Sequence, residues 1–158
     1  MGKQSAGILL YRMGEEGLEI FLAHPGGPFY VKKDLGAWTI PKGEFDNEAP
    51  LVAAKREFLE ETGFEVTGDP IQLMPIRQAG GKTVFAWAVE QDIDPLQIKS
   101  NTFLLEFPRG SGNTKEYPEI DRAEWFSVPA AMEKINPAQG ALIKQLLRKL
   151  GLEDAAKQ

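Results

Sequence analysis

Apolar residues fall in short blocks along most of the chain, separated by Gly, Pro and charged positions, and their spacing predicts the elements. Residues 5–12 (SAGILLYR) and 18–24 (LEIFLAH) read as two strands, with Gly14-Glu15-Glu16-Gly17 as the hairpin turn between them. Residues 25–35 form a Gly- and Pro-rich loop carrying Phe29, Tyr30, Lys32 and Lys33. Residues 37–40 read as a short apolar strand ended by Pro41, and 41–49 as a polar loop. A helix starts at Pro50, whose missing N–H is harmless in a first turn, and runs to about Thr62, with Gly63 as its C-cap. Helical spacing puts Leu51, Val52, Phe58 and Leu59 on a face expected to pack on a sheet, with Ala53 and Ala54 near the opposite side. Further strands are predicted at 65–66, 71–78, 83–90, 102–107 and 123–126, with Gly80-Gly81 as a hairpin turn. Residues 141–150 form an amphipathic helix. Leu142, Ile143, Leu146, Leu147 and Leu150 make its buried stripe, Lys144, Arg148 and Lys149 face water, and Gly151 ends it. The order predicts one α/β domain over 1–151, a mixed sheet between helical layers, and a frayed tail at 152–158.

Composition narrows the chemistry. The chain has 158 residues, no cysteine, one histidine (His24) and a net charge of −5. Disulfides, thiolate metal sites, cysteine nucleophiles and multi-histidine centres are therefore excluded. The acidic balance argues against a long nucleic acid or an anionic membrane as partner. No apolar run approaches the ~20 residues of a membrane span, and the first residues have no signal-peptide profile, so a cytoplasmic protein is expected.

The segment Arg56-Glu57-Phe58-Leu59-Glu60-Glu61-Thr62-Gly63-Phe64 stands apart. Glu57, Glu60 and Glu61 occupy positions i, i+3 and i+4 and share one helix face. Like charges at this spacing destabilise a helix by roughly 0.2–0.5 kcal/mol per pair. Glu60 and Glu61 also sit in the last turn, at the negative end of the dipole. Such a cluster needs a cation, and oxygen donors without His or Cys point to Mg²⁺, with Mn²⁺ as the alternative.

Residues 43–64 (GEFDNEAPLVAAKREFLEETGF) resemble the Nudix box: Gly43, Glu48, a seven-residue spacer, Arg56-Glu57, Glu60-Glu61 and Gly63. Two departures are visible. Four residues rather than five separate Gly43 from Glu48, and Phe58 stands where an aliphatic residue is usual. The lead-in Trp38-Thr39-Ile40-Pro41-Lys42-Gly43 is similar to that of many Nudix hydrolases, dinucleoside polyphosphate hydrolases among them. With HPGGPF at 24–29 and EYPEIDRAEWF at 116–126, the chain looks like a bacterial subfamily of predicted NTP pyrophosphohydrolases.

The resemblance implies an α/β/α sandwich with a mixed sheet, and Mg²⁺-dependent cleavage of a diphosphate linkage in a nucleoside polyphosphate, either an NTP or a dinucleoside polyphosphate. The alternatives are a non-nucleotide or nucleotide-sugar diphosphate as substrate, or a domain that senses a nucleotide without cleaving it. Glu57, Glu60 and Glu61 are the implied metal ligands, with the Gly43 carbonyl as a further one; Glu57 or Glu60 alternatively orients the attacking water. Arg56 is expected to hold neighbouring carboxylates, Glu48 first. A base or ligand from outside the box is expected at Glu119, with Glu116 and Glu106 behind it. Lys42 is expected to meet phosphate, and Phe29, Tyr30, Lys32 and Lys33 to form a substrate lid. His24 and Trp38 are read as structural. A monomer or homodimer binding a small nucleotide is the expected assembly.

Overall fold

The computed structural model describes residues 3–153. The chain opens with β1 (Gln4–Gly14) and β2 (Gly17–Pro25), joined in a tight antiparallel hairpin with Gly14 opposite Gly17. Then follow β3 (Lys42–Glu44), α1 (Pro50–Thr62), β4 (Ile71–Gln72), β5 (Ile76–Gln78) and β6 (Lys82–Glu90). After them come β7 (Thr102–Glu106), β8 (Thr114–Pro118), β9 (Ile120–Ser127), α2 (Val128–Lys134) and α3 (Gly140–Leu150). The main sheet has the path β4-β6-β1-β2-β9, with β3 added to β1 and β5 to β6; β7 and β8 form a separate two-stranded ribbon. Among the strands of the described residues β1 and β6 pair in parallel and the other pairings are antiparallel, so the sheet is mixed, as expected.

Strand alternation sends β1 side chains to two separate cores. Ile8 and Leu10 pack with Phe21, Trp87 and Val89 under Ala53, Ala54 and Phe58 of α1. Leu9 packs with Ile20 and Leu22 under Val128 and Ala131 of α2 and Leu142, Ile143, Leu146 and Leu147 of α3. The product is an α/β/α sandwich. α3 buries the predicted stripe, although Leu150 is only partly covered, and Gly151 caps it at φ 71°. Leu152 returns its N–H to the Leu147 carbonyl and packs against the core; residues 154–158 of the expected frayed tail lie outside the described residues.

α1 has the predicted span and, with Phe58 buried and Leu51 packed against the core, only part of the predicted face. Its buried residues are Ala53, Ala54, Phe58, Glu61 and Thr62, whereas Val52 is 58% and Leu59 42% exposed. Leu59 lies about 160° around the helix from Glu61. Covering both leucine and glutamate was impossible, and the sheet took the glutamate side.

Other elements also differ from expectation. Residues 37–40 make two isolated bridges, Ala23 with Thr39 and Trp38 with Ile135, although Trp38 and Ile40 are buried. Residues 65–66 form no strand. The run 71–78 splits into β4 and β5 around Pro75, which has no N–H for a ladder. β3, β8 and α2 were not predicted. β3 and β8 are too polar to show an apolar pattern. α2 is only seven residues, although Ser127, whose hydroxyl accepts from Ala130 N–H, and Pro129 mark its start.

No described helix is long and apolar enough to cross a membrane.

Candidate active site

One guanidinium organises Glu48, just ahead of α1, and Glu57 and Glu60 on it. Arg56 Nη2 donates to Glu48 Oε1 at 2.6 Å and Arg56 Nε to Glu48 Oε2 at 3.0 Å. Arg56 Nη1 donates to Glu57 Oε1 at 3.0 Å and to Glu60 Oε1 at 3.1 Å. Hydrogen bonding to Arg56 holds the Glu48 carboxyl below its ordinary range, and the same bond leads the causes that raise Arg56 further. The shortened loop before the helix turns through Asn47, which adopts φ 58°, a left-handed conformation that asparagine tolerates better than most residues.

That turn leaves Gly43 directly against Glu57. A Cβ on Gly43 would fall 2.1 Å from the Glu57 Cδ, so only glycine leaves room for the carboxylate there. Glu61 goes deeper. It is 7% exposed, and its Oε2 is buried without a hydrogen-bond partner. Burial, then the neighbouring charges of Glu57 and Glu119, push its carboxyl up to about 9, against the opposing pull of Lys42. Burial and then Glu60 raise Glu57. Lys42 is shifted the other way, downward, by burial and then by the ammonium of Lys82.

Glu119 reaches the same cleft from the far end of the chain. Its N–H donates to the Asn101 carbonyl at 2.9 Å, and the Asn101 N–H donates to the Glu60 carbonyl at 2.9 Å, at the C-terminal end of α1. The Glu119 carbonyl accepts from Gly26 N–H at 3.0 Å. Burial raises its carboxyl as well. The cleft, about 340 Å³, is lined by Ser5, Lys42, Gly43, Glu44, Glu57, Glu60, Glu61, Lys82, Asn101 and Glu119.

The structure thus brings Lys42, Gly43, Glu57, Glu60, Glu61 and Glu119 together, with Arg56 bonded to two of them. Glu116 accepts from the Thr102 hydroxyl and Glu106 from Gly110 N–H at 2.5 Å, and both lie outside the cleft lining. The loop residues Phe29, Tyr30, Lys32 and Lys33 also lie outside it. Phe29 meets Phe107 edge-on at 5.6 Å, and Lys33 Nζ sits 5.3 Å from the Tyr30 ring. His24 anchors that loop, with Nδ1 2.8 Å from Asp121 Oδ1 and Nε2 2.7 Å from the Lys33 carbonyl oxygen. Sequence reasoning missed Ser5, Glu44, Lys82 and Asn101, since each is a common polar residue outside any motif.

These donors suit a hard divalent ion. Five glutamates in one cleft, an orphaned buried carboxylate oxygen on Glu61, and a glycine whose missing Cβ makes space beside Glu57 are an oxygen-only set. Among the described residues no three acidic side chains converge as a ready-made cage; Glu57 and Glu60 lean on Arg56 Nη1 instead.

A family model described as NUDIX domain matches residues 1–146. No curated protein matches the sequence. Among solved structures, an Ap4A hydrolase from C. elegans in a binary complex is similar at TM-score 0.66 and 22% identity, over 94% of this chain and 98% of that one. The NUDIX domain of Shewanella oneidensis NrtR complexed with ADP ribose gives 0.65 and 16%, over 95% and 89%. A mutT/nudix family protein from Listeria innocua gives 0.62 and 18%, over 96% and 95%. At these identities the likeness concerns the fold.

Proposed function

The chain belongs to the Nudix hydrolase family, whose reaction is hydrolysis of acid anhydrides in phosphorus-containing compounds, and we propose that it is a Mg²⁺-dependent pyrophosphohydrolase of nucleoside polyphosphates. The observation that carries this reading is the cleft itself. It places three box glutamates, Glu119 and two lysines around one polar space.

In this reading Glu57, Glu60 and Glu61 would hold the ion, with the Gly43 carbonyl as a further ligand, and a divalent ion bound there would supply neutralisation of phosphate charge and a more acidic attacking water. Glu119 accepts the water proton; its burial-raised carboxyl makes it a stronger base than an ordinary glutamate. Lys42 meets a phosphate oxygen as a point charge. Arg56 touches no substrate; it fixes Glu57 and Glu60 and is itself fixed by Glu48. The half-buried lysines favour a chain of phosphates over a neutral substrate group, which supports NTPs or dinucleoside polyphosphates over other diphosphates.

The test is a panel of NTPs, dinucleoside polyphosphates, ADP-ribose-type compounds and nucleotide sugars, assayed with and without Mg²⁺. Metal-dependent turnover of the first two classes is expected, falling by roughly 100-fold or more in Glu61→Gln. Tight nucleotide binding without product would make the protein a sensor, and preferential cleavage of the last two classes would move the substrate assignment.

A further inference from the structure

The cleft holds a second chemistry besides its carboxylates: two ammonium groups, Lys42 and Lys82, and a hydroxyl, Ser5. They come from three adjacent strands. Ser5 of β1 is registered opposite Glu44 of β3 on one side and Val84 of β6 on the other; Lys42 is registered opposite Gly7. Side chains two apart on a strand, and directly opposite on neighbours, share a face. Ser5, Lys42 and Lys82 therefore share one face of the sheet with Glu44, whose carboxylate is paired with Lys3 Nζ at 3.5 Å. Gly43, registered opposite Ala6, belongs to the other face, where it touches Glu57.

Three features mark this end of the cleft as a receptor for an anion. No ion pair among the described residues uses either lysine, although acids line the same space. Ser5 Oγ is buried and has no hydrogen-bond partner; Ser5 as a whole is 1% exposed. A buried hydroxyl without a partner destabilises the fold by about 1–3 kcal/mol, and a ligand oxygen would satisfy it. Two like charges facing one space also repel each other until an anion lies between them.

We propose that Lys82, with Ser5 and Lys42, forms a distal phosphate subsite across β3 from the carboxylates, and that this subsite selects substrates carrying at least three consecutive phosphates. The proposal rests on the pyrophosphohydrolase reading and deepens it. One anhydride lies at Glu57, Glu60 and Glu61. The chain then passes Lys42 at the strand edge, and the phosphate beyond reaches Lys82. Lys82 does not touch the reacting atoms; it is a specificity-determining residue.

Binding rather than turnover tests it. The ligands are inorganic tripolyphosphate and inorganic pyrophosphate, titrated calorimetrically into the full chain in Mg²⁺. Wild type is expected to prefer tripolyphosphate. Lys82→Met lowers the tripolyphosphate-to-pyrophosphate affinity ratio by roughly 10-fold, in line with loss of a charged hydrogen bond. Lys82→Arg restores most of that ratio, and Ser5→Ala lowers it by a smaller factor. For a nucleotide substrate the Lys82→Met effect appears in KM more than in kcat. A wild-type protein with no chain-length preference overturns the proposal. So does a Lys82→Met ratio equal to wild type in a variant with an unchanged melting temperature, because Lys82 then only offsets the acidic cluster. Chain-length selection through Lys82 without hydrolysis of any nucleotide would sink the enzyme reading and leave the subsite standing. Hydrolysis without selection does the reverse.

Discussion

The guanidinium of Arg56 meets the carboxylate of Glu48 side-on, Nη2 to Oε1 at 2.6 Å and Nε to Oε2 at 3.0 Å, while its remaining nitrogen, Nη1, serves Glu57 and Glu60. One planar cation thus fixes three acids, a geometry lysine cannot copy. Arg56→Lys is expected to lower Mg²⁺ affinity or kcat by roughly 10- to 100-fold, because orienting partners of ligands typically carry that much. Stability changes little, because Glu48 and Glu60 are partly exposed. Kinetics against Mg²⁺ concentration, with a thermal melt of each protein, checks both halves. A large loss of stability with unchanged kinetics would make Arg56 a structural residue.

Gly43→Ala separates site from fold more sharply. The new methyl would meet the end of a flexible side chain, the Glu57 carboxylate, rather than backbone. Glu57 swings aside, so the melting temperature is expected to move by only a few degrees while activity falls at least 10-fold. Glycine also differs from alanine in the unfolded state, by about 0.4–1 kcal/mol, which offsets part of any strain. Retained activity in Gly43→Ala would show that Glu57 need not sit beside that strand.

Glu119 owes its position to backbone links from Asn101 and Gly26. Its side chain can therefore be changed without moving the loop. Glu119→Gln is expected to cut kcat by roughly 100-fold, a typical worth for a positioned base, with Mg²⁺ affinity changed far less. Equal losses in kcat and Mg²⁺ affinity would make it a metal ligand instead.

The sequence was legible where periodicity and motif agreed. α1 and α3 were predicted to within a residue, because capping glycines and an unbroken helical pattern mark them. The box acids were legible as a set, since their spacing is itself the signal. The burial of Glu61 was not. Helical pattern alone assigns the sheet-facing side to Leu59 and Val52, and nothing local says that a carboxylate goes in their place. Ser5, Lys82 and Asn101 were hidden for a different reason. Each enters the cleft through long-range strand register or backbone bonding, and no window of the sequence contains those partners.

Glu61 gives the protein an inverted pH response in the absence of metal. Its carboxyl ordinarily titrates at 4.5 and is pushed up to about 9 in the fold, chiefly by burial. Between those values the folded protein holds a proton that the unfolded chain has released. Stability from this group is thus complete below about pH 4.5 and is lost as pH rises through 9, at up to about 1.4 kcal/mol per pH unit. Glu57 and Glu119, also raised, add in the same direction. Metal-free protein is therefore expected to melt at lower temperature at pH 8.5 than at pH 6, and Glu61→Gln to flatten that slope. Mg²⁺ reverses the effect, since it binds the ionised carboxylates of the folded state alone. At about 100 times its Kd it adds roughly 2.7 kcal/mol, and its binding releases protons. Melting curves from pH 5 to 9, with EDTA and with Mg²⁺, read all of this directly. If the metal-free melting temperature climbs over that range, or Glu61→Gln keeps the wild-type slope, the buried oxygen of Glu61 is not held in protonated form.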